Sequence, residues 1–217
     1  ISNDPCEDRD KSPKYIEIVP GKVETYTMEP PNDIEKDHII CFYYEVGYTH
    51  KKLNNNWMFT YAIAFLIRTF VHEKFFNVLR TQKQYGYIVR ASSIMLAEAM
   101  GITFIVQTQA DPKLVENDIY KFMNDMMKYF NEMSTSVFEN VRANAVLEYE
   151  SDPNSLMQRI NTDISAIRKK TFNIDPGVLI ADEMMNISLV QFKKFFKERF
   201  VDPKTRRLRV IKIVSKN

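Results

Sequence analysis

Glycine is scarce in this sequence. The 217 residues include only five glycines, at positions 21, 47, 86, 101 and 177. A phosphate-cradling glycine-rich loop, a dinucleotide-binding fingerprint and a barrel full of tight turns all need more glycine than this. Each glycine that is present is therefore predicted to mark a position where the backbone needs an unusual conformation.

Cysteine and an excess of charge are also lacking. Cys6 and Cys41 are too few for a disulfide framework, and no C-x-x-C motif occurs. Cys41 lies in an apolar segment, which predicts a buried, inert thiol. The 30 basic and 28 acidic residues give a net charge of +2, which argues against nucleic-acid and membrane-surface binding. The subcellular location stays open, with a slight preference for the cytoplasm because cysteine is rare.

No segment is predicted to cross a membrane. The most apolar run, WMFTYAIAFLIRTFV at 57–71, is too short and contains Arg68, so it predicts a buried helix. The chain begins Ile-Ser-Asn-Asp-Pro, with no initiator Met and no signal-peptide pattern. We interpret it as part of a longer polypeptide.

Apolar material, in contrast, is ample. Hydrophobic residues make up 45% and aromatic residues 12% of the chain, which is enough for one sizeable core. Residues 1–13 are polar and are predicted to form a flexible tail. Residues 14–217 are predicted to form a single domain.

Strand patterns come before most helix patterns along this domain. Strands are predicted over 15–28 (two short strands broken at Pro20-Gly21), 38–46 (ended by Gly47), 87–95, 100–109 and 206–214. Helices are predicted over 54–83 (stopped by a left-handed Gly86), from Pro112, from Ser136 to 151, from Asp152 to 170, and from Ser188. This order predicts an α+β fold, an antiparallel-rich sheet with helices packed on one face.

Capping signals support three of these helices. They are Asp111 before Pro112, and the capping boxes Ser136 with Glu139 and Ser188 with Gln191. The last of these helices carries an aromatic face, formed by Phe192, Phe195, Phe196 and Phe200.

No catalytic centre is complete in the sequence. His38, His50 and His72 are not paired, and neither H-E-x-x-H nor H-x-x-E-H occurs, so no metal site is predicted within the chain. No G-x-S-x-G nucleophile motif occurs either.

The chain ends in a basic run that has two interpretations. Arg206, Arg207, Arg209 and Lys212 could form a stripe for an acidic partner, as in a stand-alone interaction module. Alternatively, they keep an edge strand soluble, which is the interpretation we favour.

Residues 76–89, FNVLRTQKQYGYIV, hold a more specific candidate site. Arg80 falls in the last turns of the predicted long helix, and Tyr87 follows Gly86, where the chain reverses. The two side chains could converge on one edge of the sheet. A guanidinium and a phenol can both donate to a carbonyl that is gaining negative charge. An ordinary helix end is the alternative interpretation.

This segment resembles the C-terminal domain of the insulinase (pitrilysin-type) zinc metallopeptidases, in particular the insulysin-like group. The family pattern is close to F-x-x-L-R-T-x-x-Q-L-G-Y-x-V. The matching residues are Phe76, Leu79, Arg80, Thr81, Gln84, Gly86, Tyr87 and Val89. Tyr85 departs from the pattern, which has Leu there. Over about residues 15–215 the order of elements fits the family, with a looser sequence match.

The resemblance implies a function that composition could not. Insulysin-like enzymes hydrolyse peptides in a chamber enclosed by four similar domains, with the zinc and H-x-x-E-H in the first. This chain resembles the fourth, whose partners would be the zinc-bearing N-terminal domains of the same polypeptide and a peptide substrate. Arg80 and Tyr87 match the family residues that bind the substrate and stabilise its oxyanion when zinc-bound water attacks, and Gln84 and Gly86 would fix the turn. Zinc would be a cofactor of the complete protein, and the chain alone would be inactive.

A rival implication of the same resemblance is a non-catalytic, structural or substrate-holding member of the family. An H-x-x-E-H motif upstream in the complete open reading frame would decide between the two. The preferred peptide and the oligomeric state are not predicted from the sequence.

Overall fold

The computed structural model describes residues 16–32, 34–48, 57–96, 99–150, 160, 164 and 177–216. The predicted tail over 1–13 lies outside these residues, as does the helix predicted from Asp152 to 170, apart from the helical Ile160 and Ile164. Among the described residues, none of the helices combines the length and the apolar character needed to cross a bilayer.

Five strands form one mixed sheet. They are β1 (Val23–Met28), β2 (His38–Tyr48), β3 (Ile88–Leu96), β4 (Ala99–Thr108) and β5 (Leu208–Ile213). Their order across the sheet is β1-β5-β2-β4-β3, and β1 with β5 is the one parallel pair among them. The predicted α+β fold with an antiparallel-rich sheet is therefore confirmed.

The helices of the described residues pack on this sheet and on one another. They are α1 (Trp57–Phe76), α2 (Pro112–Glu132), α3 (Thr135–Glu150), α4 (Gly177–Asn186) and α5 (Leu189–Phe196). π-Helical turns follow α1 (Asn77–Gln82) and α5 (Lys197–Val201). α1 packs against β2, β3 and β4, whereas α4 packs against α1 and α3. α4 was not predicted, because its ten residues carry only a short apolar pattern.

Phenylalanine rings form the centre of the core. The ring of Phe130 on α2 lies 5.6 Å from that of Phe70 on α1, 4.9 Å from Phe192 and 4.8 Å from Phe196, centroid to centroid. Phe196 also stacks on Phe200 at 4.9 Å. Ring pairs at these distances stabilise the core beyond the area they bury. The predicted aromatic face of the last helix is thus confirmed.

Two of the three predicted caps are confirmed. Asp111 accepts a hydrogen bond from the Lys113 amide at 2.9 Å, which starts α2. At the start of α5, Ser188 accepts from the Gln191 amide at 3.2 Å, and the Gln191 side chain accepts from the Ser188 amide at 2.9 Å. These local signals could be read from sequence because the partners are two or three residues apart.

The capping box predicted for Ser136 with Glu139 is wrong. α3 begins at Thr135, so Ser136 already lies inside the helix. Ser134 takes the capping position, and its hydroxyl accepts from the Val137 amide at 3.4 Å. Two serines in neighbouring positions offered the same local signal, and the structure uses the earlier one.

The first predicted strand pair is half right. Residues 16–19 are not a strand, and only Val23–Met28 pairs in the sheet. Gly21 has φ +78°, and its amide donates to the Arg206 carbonyl at 2.9 Å, so the chain turns at this point before it enters β1. Gly47 does not end β2, because a bulge between Glu45 and Gly47 lets the strand continue to Tyr48.

Candidate functional site

The candidate site lies at the junction between α1 and β3. Phe75 and Leu79 are fully buried and anchor the end of the long helix. After α1 the chain widens into the π-helical turn, where the Lys83 amide donates to the Val78 carbonyl at 3.0 Å. A bond that spans five residues adds one residue to the turn and changes which side chains face outward. Arg80 lies in this turn and is half-buried.

Two residues with positive φ then return the chain to the sheet. Gln84 has φ +58° and Gly86 has φ +105°. The left-handed stop predicted at Gly86 is therefore wrong: Gln84 takes it, because the Tyr85 amide donates to the Leu79 carbonyl at 3.0 Å and closes the helix there. Gly86 meets a different requirement, since a Cβ at this position would lie 2.4 Å from the backbone oxygen of Gln107 on β4.

The turn brings Arg80 and Tyr87 together. The Arg80 Cζ lies 5.2 Å from the centroid of the Tyr87 ring, and Tyr87 is 91% exposed. Neither the guanidinium nor the phenol hydroxyl has a hydrogen-bond or ion-pair partner among the described residues. An exposed cation–π contact is worth only about 0.5–1 kcal/mol, so it leaves the polar groups available to a ligand. The arrangement is thus a pair of donors with no partner in the part of the chain that the structure describes.

Tyr85, between these two residues, points inward. Its side chain is 6% exposed, and its hydroxyl donates to Asp118 Oδ2 on α2 at 2.5 Å. Lys83 Nζ lies 3.1 Å from the same carboxylate oxygen. Burial, and then the hydrogen bond to Asp118, raise the pKa of Tyr85 above its usual value. Asp118 was not predicted to belong to the site, and the one sequence signal for its bond to Tyr85 is that an aromatic residue stands where the family pattern has Leu.

The histidines have structural partners. His72 Nδ1 donates to the Ala91 carbonyl of β3 at 2.9 Å, and His38 Nδ1 accepts from the Ser215 amide at 3.0 Å. His50 lies outside the described residues. Within the described ranges, no three side chains from His, Cys, Asp and Glu are grouped so as to hold a metal ion. The side chains that the structure describes therefore offer no donor set that fits the zinc implied by the resemblance.

Cys41 is a poor nucleophile in this fold. It lies on β2 in the middle of the sheet and is only partly exposed. Burial raises the pKa of the Cys41 thiol to about 11, with the charge of Arg90 acting weakly against this. The thiol is therefore neutral near pH 7. Because only the thiolate is a good nucleophile, Cys41 is unreactive at this pH. Cys6 lies outside the described residues.

The basic C-terminal run does not lie on an edge strand, and three of its four side chains form ion pairs within the chain. β5 lies between β1 and β2, so the edge-strand interpretation is wrong. Each of the four side chains contacts a partner within the chain. Arg206 lies over the Tyr120 ring (5.2 Å), Arg207 pairs with Glu45 (2.6 Å) and Glu17 (3.1 Å), Arg209 pairs with Glu24 (2.7 Å), and Lys212 pairs with Glu116. Paired and unpaired charges look alike in a sequence, which is why the prediction failed.

Sequence comparisons bear on the same junction. A family model described as PQQ synthase PqqF-like, C-terminal lobe domain 4, matches residues 66–163, which include Arg80 and Tyr87. The insulin-degrading enzyme of Drosophila melanogaster is 24% identical over 193 residues, which cover 88% of this chain and 19% of that protein. A nardilysin-like protein of Arabidopsis thaliana is 26% identical over 185 residues, 82% of this chain and 17% of that protein. The chain spans about a fifth of the length of these relatives.

The fold is that of a pitrilysin domain. The crystal structure of pitrilysin aligns with 94% of this chain and 22% of its own, with a TM-score of 0.72 and 15% identity. The order of elements and this structural match therefore define the class of fold, an α+β domain of the pitrilysin type. The sequence matches point the same way: the chain is similar to the C-terminal lobe of PqqF-like proteins over residues 66–163, and to relatives of the insulinase family over most of its length.

Proposed function

We propose that this chain is the substrate-facing C-terminal domain of a zinc metalloendopeptidase that cleaves peptides within an enclosed chamber. The observation that carries the proposal is the Arg80–Tyr87 pair. Its donors lie side by side and have no partners among the described residues, with Tyr87 exposed and Arg80 half-buried, in the segment that matches the family pattern. The described core residues contribute the scaffold that presents these donors and not a reaction centre of their own.

The two donors suit a peptide carbonyl whose oxygen becomes negatively charged during hydrolysis. The guanidinium offers several N–H groups and a permanent positive charge, and the phenol offers one O–H. Their attraction to the carbonyl oxygen grows as its charge grows, so they stabilise the transition state more than the bound substrate. In the proposal, Arg80 also fixes the peptide backbone, and Tyr87 supplies the hydrogen bond that is gained in the transition state.

The nucleophile must come from elsewhere in the polypeptide. The described residues contain no ligand set for a metal, and the chain spans about a fifth of its relatives' length. Zinc and the general base therefore belong to other domains in this proposal. We expect the purified chain alone to neither cleave peptides nor retain zinc, as checked by peptide digestion and elemental analysis. Stoichiometric zinc in the purified chain would contradict this part.

Tyr87→Phe in the complete polypeptide tests the proposal. Loss of one oxyanion donor should lower kcat by roughly 10²-fold, as measured with a quenched fluorescent peptide. Tyr26→Phe is the matched control: Tyr26 is 49% exposed on β1, and its ring also lies beneath an arginine, with Arg209 Cζ at 5.6 Å. The control should leave cleavage unchanged. An unchanged kcat in Tyr87→Phe would remove the hydroxyl from the reaction.

A second candidate function uses the same donors without catalysis. An arginine and a tyrosine hydroxyl can also hold the carbonyl of an intact peptide, as a substrate-holding subunit would require. In that case Tyr87→Phe weakens peptide binding, measured by fluorescence anisotropy, and the complete protein cleaves nothing. Finding H-x-x-E-H upstream in the open reading frame would favour the peptidase.

A further inference from the structure

We infer that Tyr85 and Asp118 form a clamp that positions the Arg80–Tyr87 pair, an inference that rests on the proposed function. The clamp is defined here as the hydrogen bond from the Tyr85 hydroxyl to Asp118 Oδ2, together with the Lys83 ion pair to the same carboxylate. It ties the junction between α1 and β3 to the side of α2. Both residues act through the donor pair and do not themselves touch a substrate.

The hydrogen bond is the stronger part of the clamp. At 2.5 Å it has the length of a charge-assisted bond between a hydroxyl and a carboxylate. The side chain of Asp118 is only 12% exposed, so water screens this bond little. The Lys83 side chain is 43% exposed, and an ion pair of that kind contributes little. Tyr85 is therefore the residue whose loss should matter.

The place of Tyr85 in the chain explains what the clamp positions. Tyr85 stands between Gln84 and Gly86, the two positive-φ residues that set the path of the turn. Its amide is bonded to the carbonyl of Leu79, the residue before Arg80, and Tyr87 follows two residues later. One buried side chain is thus fixed between the two donors. Rotation of this turn would separate the Arg80 guanidinium from the Tyr87 phenol.

Core filling alone does not account for the hydroxyl. An apolar side chain at position 85 would fill the same space, and the family pattern has Leu there. The phenol adds a bond to a carboxylate on another element, 33 residues further along the chain. This bond adds a side-chain restraint to the two backbone restraints on the turn, the Tyr85 amide bond to Leu79 and the close packing of Gly86 on β4.

The test compares four variants of the complete polypeptide: Tyr85→Phe, Asp118→Ala, the double variant, and Tyr87→Phe. We expect the first two each to lower kcat about tenfold with little change in KM. Misplaced donors would stabilise the transition state less while the substrate still binds. The double variant should lose no more than either single one, since both remove the same bond. Amide hydrogen exchange of the 83–87 segment should become faster in all variants that break the clamp.

Tyr120→Phe is the matched control for loss of a tyrosine hydroxyl. Tyr120 is partly buried on α2, two residues from Asp118, and its hydroxyl has no hydrogen bond among the described residues. Its kcat and its exchange over 83–87 should match the parent protein.

The possible outcomes separate the two proposals. If Tyr87→Phe lowers kcat but Tyr85→Phe behaves like Tyr120→Phe, the clamp is overturned and the proposed function stands. If Tyr85→Phe lowers only the melting temperature and leaves kcat unchanged, the clamp is structural and the positioning role is overturned. If Tyr87→Phe has no effect, the proposed function falls and the positioning role falls with it.

Discussion

Adding a single methyl group at Gly86 is expected to destabilise this fold strongly. Gly86 has φ +105°, a conformation that residues with a Cβ rarely adopt. The new Cβ would also lie 2.4 Å from the backbone oxygen of Gln107, where ordinary contacts begin at 3.4 Å. Gly86→Ala therefore creates conformational strain and a steric overlap at the same atom.

The magnitude follows from these two effects. A non-glycine residue in a sparsely populated backbone region costs about 1–3 kcal/mol. The overlap adds to this, because Gln107 belongs to β4 and is paired with Ile39 on one side and Ile88 on the other. Neither neighbour can shift without disturbing the ladder. We expect a total loss of about 3–5 kcal/mol in the free energy of unfolding, at the upper end for a point substitution.

Urea unfolding of the chain measures this loss, and the melting temperature should fall by about 2–4 °C for each kcal/mol. Gln84→Gly is the matched control in the same turn. Gln84 already has a left-handed φ of +58°, so removing its side chain relieves strain of about 1–2 kcal/mol. This gain roughly offsets the greater flexibility of glycine in the unfolded chain, so the free energy of unfolding should change little. A loss below about 1 kcal/mol for Gly86→Ala would refute the assigned geometry.

Two further predictions concern groups away from the site. Arg207→Met should lower the free energy of unfolding by about 3–5 kcal/mol, because it removes the guanidinium from the fully buried Glu45 carboxylate. The control Lys128→Met breaks an exposed ion pair and should lower the free energy of unfolding by less than about 1 kcal/mol in the same urea titration. With Cys6→Ser leaving Cys41 as the remaining thiol, alkylation by iodoacetamide at pH 8 should be about 100-fold slower than in urea, since burial raises its pKa from 9.0 to about 11. The rate should rise with pH up to about 11, and a fast reaction at pH 8 would contradict the assigned burial.

Local signals in the sequence predicted the elements better than their arrangement. The cap at Asp111 and the capping box at Ser188 depend on partners within three residues, and both are confirmed. The interior position of β5 depends on its pairing with β1 and β2, which lie far away along the chain. Its charges resembled those of an edge strand because their partners, such as Glu45, are equally distant.

The candidate site, too, could be predicted from the sequence only in part. The family pattern singled out Arg80 and Tyr87. The distance of 5.2 Å from Arg80 Cζ to the centroid of the Tyr87 ring results from the turn between them. The left-handed Gln84 could not be predicted, because Gly86 is the better local candidate for that conformation. Asp118 could not be predicted either, since nothing near it in sequence indicates a bond to Tyr85.

Three departures from ordinary local structure fall within the junction between α1 and β3. The helix ends in a π-helical turn, Gln84 is the one non-glycine residue with positive φ in the described part of the chain, and Tyr87 is 91% exposed. Each is unfavourable or neutral for the stability of this domain alone. Buried Leu79, the Tyr85 bond to Asp118 and the close packing of Gly86 on β4 offset them. Three contacts thus support an unfavourable turn in this junction, beside two donors that have no hydrogen-bond partner among the described residues.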